Sequence, residues 1–363
     1  MSPDPSESAR PLTPGQFWSR LAVVALIVSS VAVLFLFTAG WFSRSALTPE
    51  RMVDTFEHVN GPHPGFRRNH AKGLGVRGHF ESNGRGTRFS KASVFQPGNV
   101  PVVGRFALAG GMPAVADSVK AVRSLALEFT LQNGEQWRTG MNSIPVFPVR
   151  TPEAFREQLI AMAPDPVTKK PNPARVAPFL EKYPETARAL RRIQSEKPAA
   201  GFADSTFNGL NAFVLTNTAG KTTNVRFALV PEAPAEAEAA AAKEGGKNFL
   251  FEALVARIRR APLRFHLMLT IGAETDPTND ATSEWPPERE KVDVGTLVID
   301  HAESEATSPA RNINFDPLVL PAGIAGSDDP LLSARSAAYA VSFRRRLSEP
   351  VSASAVDFPE VGK

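Results

Sequence analysis

A chain of 363 residues can hold one large domain or two ordinary ones, and its 42% hydrophobic and 21% charged residues are typical of a folded protein. The net charge of +4 is small for this length and the arginines are scattered, so nucleic-acid binding has little support. The chain has no cysteine, which excludes thiolate catalysis, zinc ribbons and disulfides. Its 32 prolines favour long ordered loops over a helical bundle, because proline lacks a backbone donor.

The first predicted element is a long apolar helix near the N-terminus. Residues Leu21 to Phe42 carry no charge and match the ~20 residues that an α-helix needs to cross a bilayer core. The stretch is longer than a usual signal-peptide core, and the small-x-small cleavage sites nearby are poor. We therefore expect a tail over residues 1–20 and an uncleaved transmembrane anchor over residues 21–43. Because large domains translocate largely regardless of flanking charge, we expect the rest of the chain in the periplasm.

After the anchor the sequence predicts one short helix and then a series of strands. Residues 45–60 are predicted to be helical, with Thr48 as N-cap and Pro49 at the first position, and to form a docking arm. Three β-rich runs follow between Arg77 and Phe106, namely GHFES, TRFSKASVF and VPVVGRFAL. The later strand predictions are Ser124–Leu131, Ala212–Leu215, Thr223–Leu229, Leu263–Ile271 and Val294–Ile299.

Helices are predicted in the middle of the chain and towards its end. Apolar residues at three-and-four spacing indicate Thr151–Met162, Ala174–Gln194 and Phe249–Arg260. The charged, alanine-rich run from Pro231 to Lys247 is interpreted as an exposed loop or frayed helix. Most strands follow one another without an intervening helix. The sequence therefore predicts an α+β fold, with an antiparallel barrel or strongly curled sheet and surrounding helices.

Three separated motifs contain the residues that could carry chemistry. They are RRNHAKG at 67–73, GMNSIPVF at 140–147 with Arg150 and Phe155 beyond it, and RSAAY at 335–339. In order and spacing these motifs resemble those of the catalase family. The segments VFQPGNVPVVGRF, FNGLNAF and NINFDPLVLPAGI extend the resemblance over most of the chain from about Pro64 to Arg346. The resemblance implies a catalase-type β-barrel that binds one haem b and reacts with peroxide.

The resemblance implies that His70 and Asn142 are the catalytic residues on the distal side of the haem. Cleavage of a peroxide O–O bond needs a base that takes a proton from one oxygen and delivers it to the departing one. A neutral imidazole, with a pKa near ~6.5, can do both. An amide such as that of Asn142 can donate a hydrogen bond to peroxide without titrating.

Tyr339 is implied to be the proximal ligand of the haem iron. A tyrosine that binds ferric iron must be a phenolate, and ionisation at pH 7 against a pKa of about 10 costs roughly 4 kcal/mol. The iron would supply most of this energy, and Arg335, one helical turn earlier, adds a fixed positive charge. The helix is predicted to begin with Asp329 as N-cap and Pro330 at the first position.

The resemblance also assigns residues around the haem edge and faces. Arg67, Arg105 and Arg346 match positions that pair with propionates, for which a guanidinium is well suited. Phe155 corresponds to an aromatic against the distal face, and Phe147 to a pocket wall. The other histidines are expected to be structural: His58, His63, His79, His266 and His301.

The chain departs from the usual catalase pattern at three positions. Ala107 stands where a serine usually holds the distal histidine, Ala121 where the main channel has an acidic residue, and Asn69 where a valine is usual. The chain also stops soon after the proximal helix. With these departures it looks like the short catalase-related peroxidases.

The predicted function is reduction of hydrogen peroxide or organic peroxides by an unidentified small-molecule electron donor, with weak or no catalase activity. Two alternatives stay open, a lipid-hydroperoxide isomerase or peroxygenase of the same fold and a non-enzymatic haem-binding protein. The haem domain is expected over residues 44–350, followed by a tail over 351–363. The membrane is an expected partner through the N-terminal helix, and nucleic acid is not.

Overall fold

A computed structural model of the chain describes residues 13–38, 47–232 and 246–362. It divides into two compact units, Met1–Thr48 and Pro49–Lys363. The helices of the described ranges are α1 Pro14–Thr38, α2 Pro49–Asn60, α3 Pro152–Ala161, α4 Pro173–Lys182, α5 Pro184–Ser195, α6 Phe249–Arg260 and α7 Pro330–Leu347. The strands are β1 Gly73–Ser82, β2 Gly98–Leu108, β3 Arg123–Thr130, β4 Gln136–Asn142, β5 Phe207–Asn208, β6 Phe213–Thr216, β7 Thr222–Pro231, β8 Leu263–Ile271, β9 Lys291–Glu303 and β10 Ile324–Gly326.

The first unit contains a single described helix, α1. Residues Pro14–Phe37 have a mean hydropathy of 2.5, none of the helix is buried, and its length suffices to cross a membrane. An anchor and a signal sequence both fit this helix. The predicted span of 21–43 overlaps α1, and its last residues fall in the stretch 39–46, outside the described residues.

The second unit is built on an antiparallel β-barrel. Eight strands pair in the cyclic order β1-β2-β3-β4-β5-β7-β8-β9, and β9 pairs again with β1 to close the ring. Strands β6 and β10 extend the sheet beside β7. Closure leaves the eight barrel strands without a free edge. The predicted antiparallel barrel is confirmed.

The barrel interior is filled by aromatic and branched side chains. Trp137 stacks on Phe129 with ring centroids 4.7 Å apart, and the edge of Phe227 approaches Trp137 at 5.2 Å. Such contacts add to the hydrophobic energy of burial. Helix α6 contributes buried residues to the same core, whereas α2, α3 and α7 pack on one another beside the barrel. Because the barrel is solid, a binding site must lie between its wall and the helices.

Two predicted elements differ from the structure. The run TRFSKASVF is not a strand but contains two 3₁₀ turns, Arg85–Arg88 and Ser93–Phe95, whose apolar residues pack into the core without joining a ladder. The predicted helix Ala174–Gln194 is two helices, because Pro184 cannot donate a backbone hydrogen bond and starts α5 afresh. The charged run 231–247 lies mostly outside the described residues, which resume at Gly246.

The end of the chain packs against the barrel. Val361 pairs with Ala302 beside β9, through backbone hydrogen bonds of 2.8 Å in both directions. Val356 is fully buried, and the Ser354 hydroxyl lies 2.6 Å from that of Ser304. Residues 351–362, predicted as a tail, therefore cover part of the barrel surface.

Candidate active site

One cavity brings together residues from widely separated parts of the second unit. It encloses about 1300 Å³, part of it open to solvent, and lies between strands β2 to β4, the loop before β1, and helices α2, α3 and α7. All nine predicted site residues line it: Arg67, His70, Arg105, Asn142, Phe147, Phe155, Arg335, Tyr339 and Arg346. The other five histidines all lie in the described ranges, outside this lining.

His70 lies just before β1 in a backbone conformation that L-residues rarely adopt, with φ of +57°. Its Nδ1 atom is buried and makes no hydrogen bond to the described residues. Ala107, which also lines the cavity, has no side-chain hydrogen-bonding group. Burial and the positive charges of Arg105 and Arg335 lower the pKa of His70 to about 3, against a small opposing effect of the Leu108 backbone. The imidazole is therefore neutral at physiological pH and able to accept a proton.

Asn142 is the last residue of β4 and lies in register with Ser124 of β3, which in turn pairs with Ala107 of β2. The three residues form a row along the cavity wall. The Oδ1 atom of Asn142 is buried without a hydrogen-bond partner among the described residues. The Ser124 hydroxyl donates to the Met141 carbonyl at 3.0 Å. This row places the Asn142 amide on the wall of the cavity that His70 also lines.

Tyr339 projects from α7, whose N-terminus is fixed as the sequence predicts. Asp329 caps the helix by accepting a hydrogen bond from the Leu331 amide at 2.9 Å, and Pro330 begins it. Arg335 lies with its guanidinium carbon 6.0 Å from the centre of the Tyr339 ring and donates to the Gly140 carbonyl at 2.9 Å. The phenol and the guanidinium thus lie together against the end of β4.

Gly140 permits this close approach of β4 and α7. A Cβ added there would lie 3.2 Å from Nη2 of Arg335 and 3.4 Å from Oη of Tyr339. Arg335 also donates to Oδ1 of Asn211 at 2.6 Å, and Asn211 in turn donates to the capping carboxylate of Asp329 at 2.8 Å. The guanidinium beside the phenol is therefore held from two sides.

Three arginines of the cavity lining, Arg67, Arg105 and Arg346, form a cluster with the buried carboxylate of Glu305. Glu305 accepts a bidentate pair of hydrogen bonds from Arg105 and lies 3.5 Å from Nε of Arg67. Burial opposes ionisation of Glu305, but the charges of Arg105 and Arg67 outweigh it and lower its pKa to about 2. Burial and the neighbouring cations lower the pKa of Arg67 to about 9 and that of Arg346 to about 10. With Glu305 ionised, the cluster retains two uncompensated positive charges.

Comparison with known proteins decides the family. The catalase family profile matches residues 38–361, nearly the whole second unit. A catalase-related peroxidase of Synechococcus elongatus is 36% identical over 91% of this chain and 97% of its own length. This chain belongs to the catalase family.

Further relatives define the position within the family. A catalase-related peroxidase of Mycolicibacterium paratuberculosis is 33% identical over 83% of this chain and 95% of its own length. Rat catalase is 29% identical, but the match covers only 55% of the rat protein. A solved fungal catalase superposes with a TM-score of 0.69 at 21% identity, over 86% of this chain and 66% of the fungal one, which shows the shared fold. The chain thus covers 95–97% of the two catalase-related peroxidases and about half of the rat catalase.

The described residues fit a haem group on two observations. Nη2 of Arg346 is a buried N–H group without a hydrogen-bond partner among the described residues. Nε of Arg67 faces only the Glu305 carboxylate, 3.5 Å away and without hydrogen-bond geometry. Such buried donors are costly to leave unpaired. They lie where the cluster has two positive charges in excess, which suits the two propionates of a haem. The Tyr339 phenol, the one tyrosine of the cavity lining, offers an oxygen ligand in the same space.

Several residues of the site lie outside the sequence motifs. Glu305 follows β9 in a segment without a recognisable pattern, and only the excess of buried arginine could have indicated a carboxylate partner. Met52, Val53 and Phe56 of α2 line the cavity. Their helical spacing could have shown a buried face. Helix α2, predicted as a docking arm, is a wall of the site.

Proposed function

We propose that the protein is a haem-dependent peroxidase that reduces hydrogen peroxide with an external electron donor. The observation that carries the proposal is the convergence in one cavity of a neutral imidazole, a primary amide, a phenol beside an arginine, and a cationic cluster with two unpaired N–H groups. Each of these groups matches a need of haem-based peroxide chemistry.

The haem would be held by residues from four segments. Tyr339 would bind the iron through its phenolate oxygen, with the Arg335 guanidinium beside its ring. Arg67, Arg105 and Arg346 would receive the propionates. Phe147 and Phe155, whose ring centroids are 5.2 Å apart, would pack against the macrocycle. When bound, the haem iron supplies the two-electron redox chemistry that the polypeptide lacks.

The polypeptide's own part is to orient peroxide and move its proton. The Asn142 amide donates a hydrogen bond that positions the peroxide beside His70. His70 accepts the proton of one peroxide oxygen and delivers it to the other oxygen, which leaves as water. Its low pKa keeps it ready to accept at neutral pH. The walls formed by α2 and α3 limit the access of bulk water during this transfer.

A peroxidase, with weak or no catalase activity, is favoured over a catalase by two features. Nδ1 of His70 has no partner where Ala107 stands, so the imidazole is held less firmly than a partnered one. The relatives that match over almost their entire length are named catalase-related peroxidases. In a catalase a second peroxide is the reductant. In this protein a small organic electron donor would be the reductant instead.

The proposed location is a membrane surface. Helix α1 is apolar, unburied and long enough to act as an uncleaved anchor. The second unit would then lie in the periplasm, where it would meet peroxide that enters from outside.

The test is rapid mixing of the purified, haem-loaded protein with hydrogen peroxide, with and without a phenolic donor. We expect peroxide to be consumed much faster with the donor, and His70→Ala to slow the reaction by about 10²–10⁴-fold. The matched control is His58→Ala, a change at an exposed histidine of α2 outside the cavity. If His70→Ala reacts as fast as the parent, a haem carrier becomes the better description. Rearrangement of a lipid hydroperoxide without consumption of the donor would instead indicate an isomerase.

A further inference from the structure

His70 combines an unfavourable backbone conformation with a ring whose Nδ1 atom makes no hydrogen bond to the described residues. A φ of +57° costs a non-glycine residue roughly 1–2 kcal/mol, and persists only when its surroundings enforce it. Nδ1 of the ring is buried and unpartnered among the described residues, and Ala107, which lines the same cavity, has no polar group to offer it. The Nδ1 atom therefore contributes nothing to fixing the imidazole, and a restraint elsewhere is needed.

Asn69 supplies the missing restraint at the backbone. Its Oδ1 atom accepts a hydrogen bond from the His70 amide at 3.0 Å and a second from the Gly110 amide at 2.9 Å. The next residue adds a backbone hydrogen bond to the same loop, because the Ala71 amide donates to the Gly110 carbonyl at 3.0 Å. One side-chain oxygen thus ties the turn at His70 to the loop that follows β2.

The loop that receives these bonds is closely packed on the histidine turn. A Cβ added at Gly111 would lie 2.6 Å from the carbonyl oxygen of Arg68. This distance is too short for a real contact, so the backbone would have to move. The hydrogen-bond ladder between β1 and β2 continues to the start of this loop, because the Leu108 amide donates to the Lys72 carbonyl at 3.0 Å. The turn therefore has a fixed support to which Asn69 attaches it.

We propose that Asn69 is the positioning residue of His70, and that it orients the imidazole through the backbone in place of a hydrogen bond to Nδ1. This inference rests on the proposed function, because it assigns Asn69 to the proton transfer that His70 performs. An asparagine suits the task because its carbonyl oxygen has two lone pairs and both are used. A hydrocarbon side chain at position 69 would leave two backbone N–H groups without this acceptor.

The first experiment reads the two hydrogen bonds directly. Hydrogen–deuterium exchange is followed at the amides of His70 and Gly110 in the full chain, in the parent, Asn69→Leu and Asn69→Asp. Leucine has a similar volume but no acceptor, whereas aspartate keeps it. We expect exchange to be about tenfold faster at both amides in Asn69→Leu and unchanged in Asn69→Asp, since one lost hydrogen bond is worth up to about tenfold in a local opening equilibrium. Equal exchange in all three proteins overturns the proposal.

The second experiment separates positioning from a general structural role. Asn69→Leu should bind haem fully and react with peroxide about tenfold more slowly, whereas Asn69→Asp should stay within about threefold of the parent. Adding Ala107→Ser, which offers the ring a hydroxyl, should restore most of the rate lost in Asn69→Leu without repairing its amide exchange. Lack of rescue contradicts the proposal. So does a slow Asn69→Asp, which would mean that the Asn69 amide group contacts peroxide itself.

These outcomes are distinct from failure of the proposed function. If His70→Ala already equals the parent, the peroxidase assignment is wrong, and the rates of the Asn69 variants cannot support positioning for catalysis. If His70→Ala is slow and Asn69→Leu is fast, the peroxidase assignment stands and only the role of Asn69 is rejected.

Discussion

Arg105 and Glu305, 200 residues apart, form a buried bidentate ion pair with Nε–Oε1 at 2.8 Å and Nη2–Oε2 at 2.9 Å. A Cβ at Gly73 would lie 2.4 Å from the guanidinium carbon of Arg105, so this pair needs a glycine at the start of β1. The pair joins β2 to the segment after β9 and leaves Arg67 and Arg346 with the charge that an anionic ligand can neutralise.

Glu305→Gln should destabilise the haem-free protein more than the haem-loaded one. Removing one partner of a buried ion pair typically costs about 3–5 kcal/mol, because the other charge remains buried. The propionates of a bound haem would supply negative charge to the same arginines and reduce this loss. Thermal unfolding of both forms measures the difference. Equal destabilisation with and without haem would show that the cluster does not receive the propionates.

Tyr339→Phe should strongly reduce haem content, because the change keeps the ring and removes the oxygen ligand. Tyr183→Phe is the matched control, since Tyr183 is the other tyrosine of the chain and lies outside the cavity, between α4 and α5. Haem content per polypeptide and the electronic spectrum are measured for both variants. Full occupancy with an unchanged spectrum in Tyr339→Phe excludes Tyr339 as the ligand.

The rate of peroxide reaction should show no inflection near pH 6.5. The pKa of His70 is lowered to about 3, so the imidazole remains a free base from neutral pH down to about pH 4 and loses activity only below that. In the same range His70 reduces folding stability, because below about pH 6.5 the unfolded chain binds a proton that the folded one does not. Stopped-flow rates from pH 8 to pH 4 test whether the reaction rate has an inflection. The prediction is wrong if the reaction rate of the parent falls around pH 6.5 and the rate of His70→Ala does not.

Deletion of residues 1–44 should yield a soluble protein with unchanged haem content and peroxide reactivity. The first residue of the cavity lining in chain order is Met52, in the second unit, so the truncation removes no part of the lining. Sedimentation without detergent, haem content and reaction rate are compared with the full chain in detergent. Loss of haem after truncation would show that the N-terminal segment supports the pocket.

The sequence predicts the parts of this site that form short local motifs. His70, Asn142 and Tyr339 each lie in a contiguous run with the residue types that their chemistry requires, and the cap at Asp329 follows local helix rules. The barrel was also predictable, because strands without intervening helices must pair in an antiparallel manner. These features depend on neighbours in the chain or on strict periodicity.

Features that depend on distant contacts could not be predicted. Glu305 gains its role only when folding brings it beside Arg105, and nothing in its local sequence differs from an exposed acidic loop. The run TRFSKASVF has the composition of a strand, but its residues bury their side chains without a partner strand. Tertiary burial outweighs local preference in both cases.

The cavity draws its walls from both ends of the second unit, with Met52 and Phe56 of α2 at one end and Tyr339 and Arg346 of α7 at the other. Synthesis at roughly 5–20 residues per second separates these two helices by about 15–60 s. During that interval the barrel strands can pair, but the pocket lacks Tyr339, the proposed iron ligand, and Arg346, one of its three arginines. Insertion of the proposed haem would therefore be a late event, which follows completion of the chain rather than guiding the folding of the barrel.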